Sequence, residues 1–259
     1  MSRALATAAA VVALAFFALP LLGILAHTPL VSFADLTAAS VLEALALSLV
    51  TSLGAVVVAV VLGLPLAALI ARTRGSLRTL LRALAALPLV LPPVVAGVGL
   101  LFALGRNGIF GPALALVDVE LPFTTAGAVV AAAFVAAPYF VLAAESGFSS
   151  IDPILVDAAQ SFGASRALIF RTVAWPALSP SLRAGVALCF ARALGEFGAT
   201  ITFAGNREGK TQTLPLLVYE TLHDSPERAA VLSLLLVAAG AAAFFGLRAW
   251  PTLPERRRA

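Results

Sequence analysis

Two side chains of opposite charge, Arg192 and Glu196, interrupt the apolar stretch ALCFARALGEFGATITFAG. Their spacing of four residues places them on one face of a helix, and Thr200 extends that face by one turn. Each such charge costs about 2.5–3.5 kcal/mol at the centre of a bilayer, so we expect both to face the interior of a helix bundle and to pair. The pair can either hold helices together or help to conduct a solute, and the sequence leaves both roles open.

A second apolar stretch, LPLVLPPVVAGVG, is dense in residues that break helices. Proline removes an amide donor and clashes with the preceding turn, so we expect a helix that is kinked or locally unwound. Irregular backbone at membrane depth is tolerated only where it is buried in protein or lines a wet cavity. The stretch therefore predicts a gate or pathway-lining helix, with a kink that merely improves packing as the alternative. Together with the charged stretch, the candidate pathway residues are Pro88, Pro92, Pro93, Gly97, Arg192, Glu196, Thr200 and Thr202.

Residues 204–211 read AGNREGKT and fit the relaxed pattern of a phosphate-binding P-loop. That motif works only where the loop leaves a buried strand and enters a helix whose N-terminus holds phosphate. Because this segment follows an apolar span instead, we discount it. His27 and His223 have no cysteine or acidic cluster at ligand spacing, which argues against a metal site. With no nucleophile and base in a recognisable arrangement either, we expect no catalytic residue and no cofactor.

The elements that must position these residues are membrane-spanning helices. The chain has 259 residues, of which 61% are hydrophobic and 12% charged, and its mean hydropathy is +1.03. A soluble domain carries about 25% charged residues, so this composition excludes a large soluble catalytic domain. A helix needs about 20 apolar residues to cross a bilayer, and six runs are long enough. They are about Ala4–Leu25, Leu45–Ala71, Leu80–Leu104, Thr124–Ala144, Leu182–Ala204 and Ala229–Leu247.

The basic residues favour an orientation with both termini in the cytoplasm. In that topology the cytoplasmic segments contain most of the 17 basic residues, as the positive-inside rule requires. These are Arg3, Arg72, Arg74, Arg78, Arg82, Arg166, Arg171, Arg183, Arg248, Arg256, Arg257 and Arg258. The arginine-rich tail then anchors the topology at an anionic lipid leaflet and requires no nucleic acid.

The loop between the fourth and fifth spans predicts a pair of short helices. Asp152 is placed to cap the first helix, Pro153 suits its first position, Gly163 can end it in a left-handed turn, and Ser165 can cap the second. Apolar residues share one face of the first helix at helical spacing. They are Ile151, Ile154, Leu155, Ala158, Ala159 and Phe162. This helix pair suits docking into a cleft on another protein. The alternative, a helix lying on the bilayer, is weakened by the few basic residues on its polar face.

The same loop resembles the EAA loop of binding-protein-dependent ABC importer permeases. The resemblance is carried by Asp157, Ala158, Ala159, Gly163, Ile169 and Pro176, the last preceded by Trp175. In the family the first acid is usually Glu and the residue before the proline is usually Leu. The resemblance implies that this loop forms a coupling helix, which sits in a groove of an ATP-binding subunit and transmits its closure to the spans.

A second resemblance narrows the cargo to an oxyanion. The segments Leu91–Gly111, Phe190–Asn206 and Thr211–Tyr219 look like the permease subunit of molybdate importers, with sulfate and tungstate permeases as near relatives. The resemblance implies an all-α membrane protein with six transmembrane helices and the type I ABC importer (MetI-like) fold, in the cytoplasmic membrane. It also implies a second copy of the chain, two ATP-binding subunits and an extracytoplasmic oxyanion-binding protein as partners.

We divide the chain into a first helix with its loop (1–39), a transmembrane domain (40–247) that contains the coupling loop at about 151–176, and a basic tail (248–259). Permeases for tungstate or for sulfate and thiosulfate remain alternatives. So do an ion-coupled secondary transporter or channel that uses Arg192 and Glu196, and a membrane scaffold. Neither of these last two needs a docking helix pair, so the loop between the fourth and fifth spans favours the importer.

Overall fold

The computed structural model describes residues 3–28 and 38–248, and every regular element in those ranges is helical. A π-helical turn, Phe170–Ala174, separates the eighth helix from the ninth. In chain order the helices are α1 (Arg3–Ala26), α2 (Ala39–Arg72), α3 (Gly75–Val90), α4 (Pro93–Leu104), α5 (Gly111–Ala115), α6 (Thr125–Ser149), α7 (Pro153–Ser161), α8 (Arg166–Ile169), α9 (Trp175–Leu194), α10 (Gly198–Phe203), α11 (Leu214–Asp224) and α12 (Pro226–Arg248). The predicted basic tail beyond residue 248 lies outside the described residues.

Four of the six predicted spans each correspond to one continuous helix: α1, α2, α6 and α12. These helices are long and apolar enough to cross a bilayer. The second runs for 34 residues, or about 50 Å at the helical rise, so it extends beyond a hydrocarbon layer about 30 Å thick. The prediction of a multi-pass helical membrane protein is confirmed.

The third and fifth predicted spans are broken, and here the predicted boundaries need correction. Helices α3 and α4 meet at an angle of 112° across Leu91 and Pro92, so the proline-rich stretch turns a sharp corner rather than forming a kinked rod. The fifth span was expected to be continuous from Leu182 to Ala204. It stops at Leu194 and restarts at Gly198, and at its other end it extends back through α8.

Helix α6 lies at the centre of the bundle, packed mainly against α2 and α9. Small residues line these contacts, which lets helix backbones approach closely where lipid supplies no hydrophobic driving force. The largest buried cluster is built mostly from alanine, and Phe140 is its largest side chain. A Cβ on Gly185 of α9 would lie 3.2 Å from the Phe140 ring, so this glycine sets the spacing of α6 and α9.

Candidate functional site

The break in the fifth span contains the ion pair that the sequence singles out. Arg192 Nη2 lies 2.8 Å from Glu196 Oε2, and the Glu196 side chain is almost fully buried. The predicted pairing is therefore confirmed. The geometry differs from two residues on one continuous helix, however, because Arg192 lies in the last turn of α9 and Glu196 lies beyond its end.

Glu196 has a second task at the start of α10. Its Oε1 atom accepts a hydrogen bond from the Ala199 backbone N–H at 2.8 Å. Arg192 stands at a helix C-terminus and Glu196 at a helix N-terminus, so both charges are favoured by the adjacent helix dipoles. The carboxylate satisfies an amide that the break exposes, which explains why the backbone can leave the helical path in an apolar setting.

Helices α4 and α10, which follow the two breaks, pack directly against each other. A Cβ added to Gly97 would overlap Thr202 Oγ1 and would lie 2.7 Å from the Ala199 carbonyl oxygen. On the facing helix, a Cβ on Gly198 would lie 2.9 Å from the Pro93 side chain. Only glycine fits at these two positions, so each broken span fixes the position of the other.

The structure brings together some of the predicted pathway residues and separates others. Pro93, Gly97 and Thr202 meet at the contact between α4 and α10, and Thr200 is buried in α10. The Thr202 hydroxyl donates to the Gly198 carbonyl oxygen at 2.8 Å. Pro92 is the cap residue that precedes α4. Pro88 instead lines an apolar cavity of about 430 Å³ formed by residues of α2, α3, α4 and α6, and none of the other predicted pathway residues lines that cavity.

The first helix of the loop after α6 forms as the sequence predicts. Asp152 Oδ1 accepts a hydrogen bond from the Ile154 backbone N–H at 2.8 Å, with Pro153 in the first turn. At the other end, Gly163 adopts a φ of +77°. Its N–H donates to the Gln160 carbonyl oxygen, and the Ala164 N–H donates to that of Ala159. These two bonds form a Schellman motif, which ends α7 at a fixed angle.

The second predicted loop helix does not remain separate from the fifth span. Ser165 caps it as expected, since its Oγ atom accepts from the Leu168 N–H at 3.3 Å. Residues 166–194 then run on through the π-helical turn into α9 as one candidate span. Pro176 lies in the first turn of α9, and the π-helical turn precedes it. The predicted Ile169 is the buried residue of α8.

Helix α7 and its C-terminal cap residue expose large apolar side chains. Ile154 is 73% exposed and Phe162 is 91% exposed, and Leu155 is exposed beside them. The predicted docking residues Asp157, Ala158 and Gly163 are also exposed, whereas Ala159 is half-buried. An apolar face of this kind at the end of a helix bundle is typical of a surface that binds another protein.

A buried carboxylate that the sequence analysis missed lies one turn before the end of α6. The Glu145 side chain is 3% exposed, and Arg78 Nη2 of α3 donates to its Oε1 at 3.0 Å. Arg82 Nε lies 3.2 Å from Oε2 without hydrogen-bond geometry. We refer to these three residues as the clasp. The available signal was an acid within an apolar run, together with two arginines four residues apart on a preceding helix.

The P-loop-like segment is held by its own backbone. It follows helix α10 rather than a strand, and the N–H groups of Lys210, Thr211 and Gln212 all donate to the Arg207 carbonyl oxygen. Those amides are therefore directed at the protein's own backbone, and the local structure differs from the strand, loop and helix that a P-loop requires.

Comparison with known families and curated proteins gives concordant matches. The family model of the binding-protein-dependent transport system inner membrane component matches residues 59–250. The molybdenum transport system permease protein ModB of Mycobacterium tuberculosis is 42% identical over 93% of this chain and 91% of its own length. The sulfate transport system permease protein CysT of Salmonella typhimurium is 42% identical over 69% of this chain and 65% of its own length.

Solved structures with the same fold come from importers of quite different compounds. A chain of the bacterial alginate ABC transporter, in complex with an alginate pentasaccharide-bound periplasmic protein, superposes with a TM-score of 0.72. It is 14% identical, and the match covers 95% of this chain and 93% of that one. A chain of the inward-facing MetNI methionine ABC transporter gives a TM-score of 0.58 at 19% identity, covering 80% and 90%. At these identities the likeness establishes the fold alone.

Proposed function

This chain belongs to the family of binding-protein-dependent transport system inner membrane components, and on that basis we propose that it imports molybdate. As a member of the family it is the permease subunit of an ABC importer in the inner membrane, and ATP hydrolysis belongs to separate subunits. The single observation that carries the choice of anion is the match to the molybdenum permease along nearly the whole length of both chains.

The proposed assembly contains two copies of this chain, two ATP-binding subunits and an extracytoplasmic oxyanion-binding protein. Helix α7 docks into a groove of the ATP-binding subunit, which covers Ile154, Leu155 and Phe162. The exposure of these side chains supports this contact, because burying such a side chain contributes about 1.5–3 kcal/mol. Both termini then lie in the cytoplasm, in agreement with the distribution of arginines.

The proposed cycle uses the two broken spans as one moving unit. ATP closes the nucleotide-binding subunits, the coupling helices approach each other, and the elements around α4 and α10 open outward to accept the anion. Hydrolysis returns them to the inward state. The close fit of Gly97 against Thr202 supports joint movement, because neither helix can shift without displacing the other.

An oxyanion needs hydrogen-bond donors that replace its water. The proposed donors along the pathway are Arg192, the Thr200 hydroxyl, the Thr202 hydroxyl once it releases the Gly198 carbonyl oxygen, and backbone N–H groups freed around Pro92 and Pro93. These sites need to be weak, since a tight site would trap its cargo. High selectivity is then assigned to the binding protein.

Uptake into proteoliposomes tests the proposal directly. The complex with its ATP-binding subunits and binding protein is reconstituted, and molybdate, tungstate and sulfate compete for uptake driven by ATP. We expect ATP-dependent accumulation of molybdate that excess sulfate does not suppress. Vesicles containing this chain alone serve as the control and should accumulate nothing. Uphill accumulation by the chain alone, driven by an ion gradient without nucleotide, would contradict the proposal in favour of a secondary transporter.

Sulfate is the second candidate, and the match to the sulfate permease supports it. That match extends over a smaller share of both chains than the match to the molybdenum permease. The same competition experiment separates the two, because a sulfate permease would show uptake that excess sulfate abolishes.

A further inference from the structure

The clasp places one buried charge, on α6, in contact with two arginines of α3. Glu145 is as buried as the core alanines around it, and its two arginines come from another helix. A buried carboxylate without a partner is strongly unfavourable, so it must remain with its arginines or be neutralised. Arg78 also lies 3.5 Å from Ser149 Oγ, which extends the contact to the last residue of α6.

Helix α3 has few other attachments to the bundle. It contains no buried residue, and its half-buried side chains against the main core are Leu81 and Ala85. These two share a face with Arg78 and Arg82, because the spacing of the four residues follows the helical repeat. The clasp is therefore the charged part of the one stripe along which α3 contacts α6.

The position of the clasp connects two distant parts of the chain. On the α6 side, Glu145 lies one turn before the end of the helix, and α7 begins only a few residues later. On the α3 side, the helix continues to the 112° corner, beyond which α4 packs against α10. The clasp thus stands between the proposed docking helix and the pair of broken spans.

We propose that Glu145, through Arg78 and Arg82, is a positioning residue that makes α3 follow α6 when the docking helix moves. The inference rests on the proposed function, since it assigns a route by which α7 drives α4 and α10. The ion pairs of the clasp hold α3 to α6 more firmly than apolar packing alone, so a movement of α6 is transmitted to α3. Without the clasp, α6 moves, ATP is hydrolysed, and the broken spans lag behind.

The test compares two variants in the reconstituted complex. Glu145→Gln removes the charge but retains an oxygen that accepts from Arg78. The triple variant R78Q/R82Q/E145Q removes all three charges and leaves no uncompensated charge in the bundle. Glu120→Gln is the matched control, because its ion pair with Arg106 is exposed on both sides. Each variant is assayed for thermal stability in detergent, for ATP hydrolysis, and for molybdate taken up per ATP hydrolysed.

We expect both clasp variants to lower uptake per ATP about tenfold, the order of magnitude lost when a coupling of about 1–2 kcal/mol is removed. ATP hydrolysis should continue, the triple variant should melt close to the wild type, and Glu120→Gln should match the wild type throughout. A triple variant with normal stability and normal uptake per ATP would overturn the inference and leave the clasp as a purely structural contact.

The failure of the two proposals can be told apart. If the wild-type complex imports sulfate and not molybdate, the proposed cargo is wrong. The clasp is then tested with sulfate uptake per ATP, by the same criterion. If the wild type imports molybdate and the clasp variants retain its uptake per ATP, only the clasp proposal is wrong.

Discussion

The loop segment 151–174 and the contact between α4 and α10 both depend on a break in helical structure, but they use it in opposite ways. Around the loop break, Gly163 meets no atom within 4 Å of its missing Cβ, and apolar side chains are exposed. At the α4–α10 contact, Gly97 has no room for a Cβ, and the break at Glu196 is sealed by a hydrogen bond and an ion pair.

The difference indicates which region the chain stabilises by itself. The α4–α10 contact is complete within one copy of the chain, so substitutions there should first affect folding. The loop segment fixes its turn but leaves its face uncovered, so substitutions there should first affect function in the assembled complex.

Arg192→Ala should destabilise the chain most. It leaves Glu196 buried with an uncompensated charge, and breaking a buried ion pair in this way costs about 3–5 kcal/mol. Arg192 is 27% exposed, so we expect a value near the lower end. Thermal unfolding in detergent measures the effect, which should appear as a lower melting temperature and a lower yield of monodisperse protein.

Two further variants test whether the destabilisation comes from the uncompensated charge on Glu196 or from the loss of the arginine side chain. Adding Glu196→Gln to Arg192→Ala should recover most of the stability, because the amide oxygen can still accept from the Ala199 N–H. Arg106→Ala, at the exposed pair, should change stability by less than about 0.5 kcal/mol. Normal stability of Arg192→Ala would show that the break does not depend on the ion pair.

Gly97→Ala should have the next largest effect. The added methyl collides with Thr202 Oγ1 and with the backbone of Ala199, and overpacking of this kind costs about 1–3 kcal/mol. Gly99→Ala is the matched control on the same helix, because nothing lies within 4 Å of its missing Cβ. Equal melting temperatures for the two variants would mean that α4 and α10 are not in close contact.

The sequence predicts the structure of both regions wherever a single residue type determines the local backbone geometry. Asp152, Pro153, Gly163 and Ser165 act through local capping rules, and all four perform their predicted roles. The proline-rich stretch likewise predicted irregular backbone, although a local rule gives no bend angle. The 112° bend occurs together with the packing of α4 on α10, a contact between distant segments that a local rule does not describe.

What the sequence analysis missed concerns long-range partners. Glu145 lies one residue beyond the predicted fourth span, where a polar residue is ordinary, and its arginines are more than 60 residues away along the chain. The break after Leu194 was also missed. Apolar periodicity continues through it, and the capping role of Glu196 depends on where its carboxylate points.

Gly163→Val should lower overall stability by no more than about 1–2 kcal/mol and should mainly disturb the loop segment. A non-glycine residue in the left-handed conformation costs roughly 1–2 kcal/mol, and this cost is paid locally at the end of α7. We expect normal membrane insertion, continued ATP hydrolysis and reduced molybdate uptake. Gly163→Asn is the control, because asparagine tolerates this conformation and the site has room for its side chain. Unaltered transport in the Val variant would contradict the coupling role.

Phe162→Ser should have the smallest effect on folding. Its ring is 91% exposed, so the isolated chain loses almost no buried surface and its melting temperature should not change. Aromatic residues at the centre of a protein interface often contribute 2 kcal/mol or more to binding. Association with the ATP-binding subunit should therefore weaken by about thirtyfold or more, whereas Gln160→Ala, two residues earlier in α7, should bind normally. If Phe162→Ser lowered the melting temperature of the isolated chain as much as Gly97→Ala does, the loop segment would contribute to the stability of the chain as the α4–α10 contact does. The proposed difference between the α4–α10 contact, which is stable within one chain, and the loop segment, which needs a partner protein to cover it, would then be wrong.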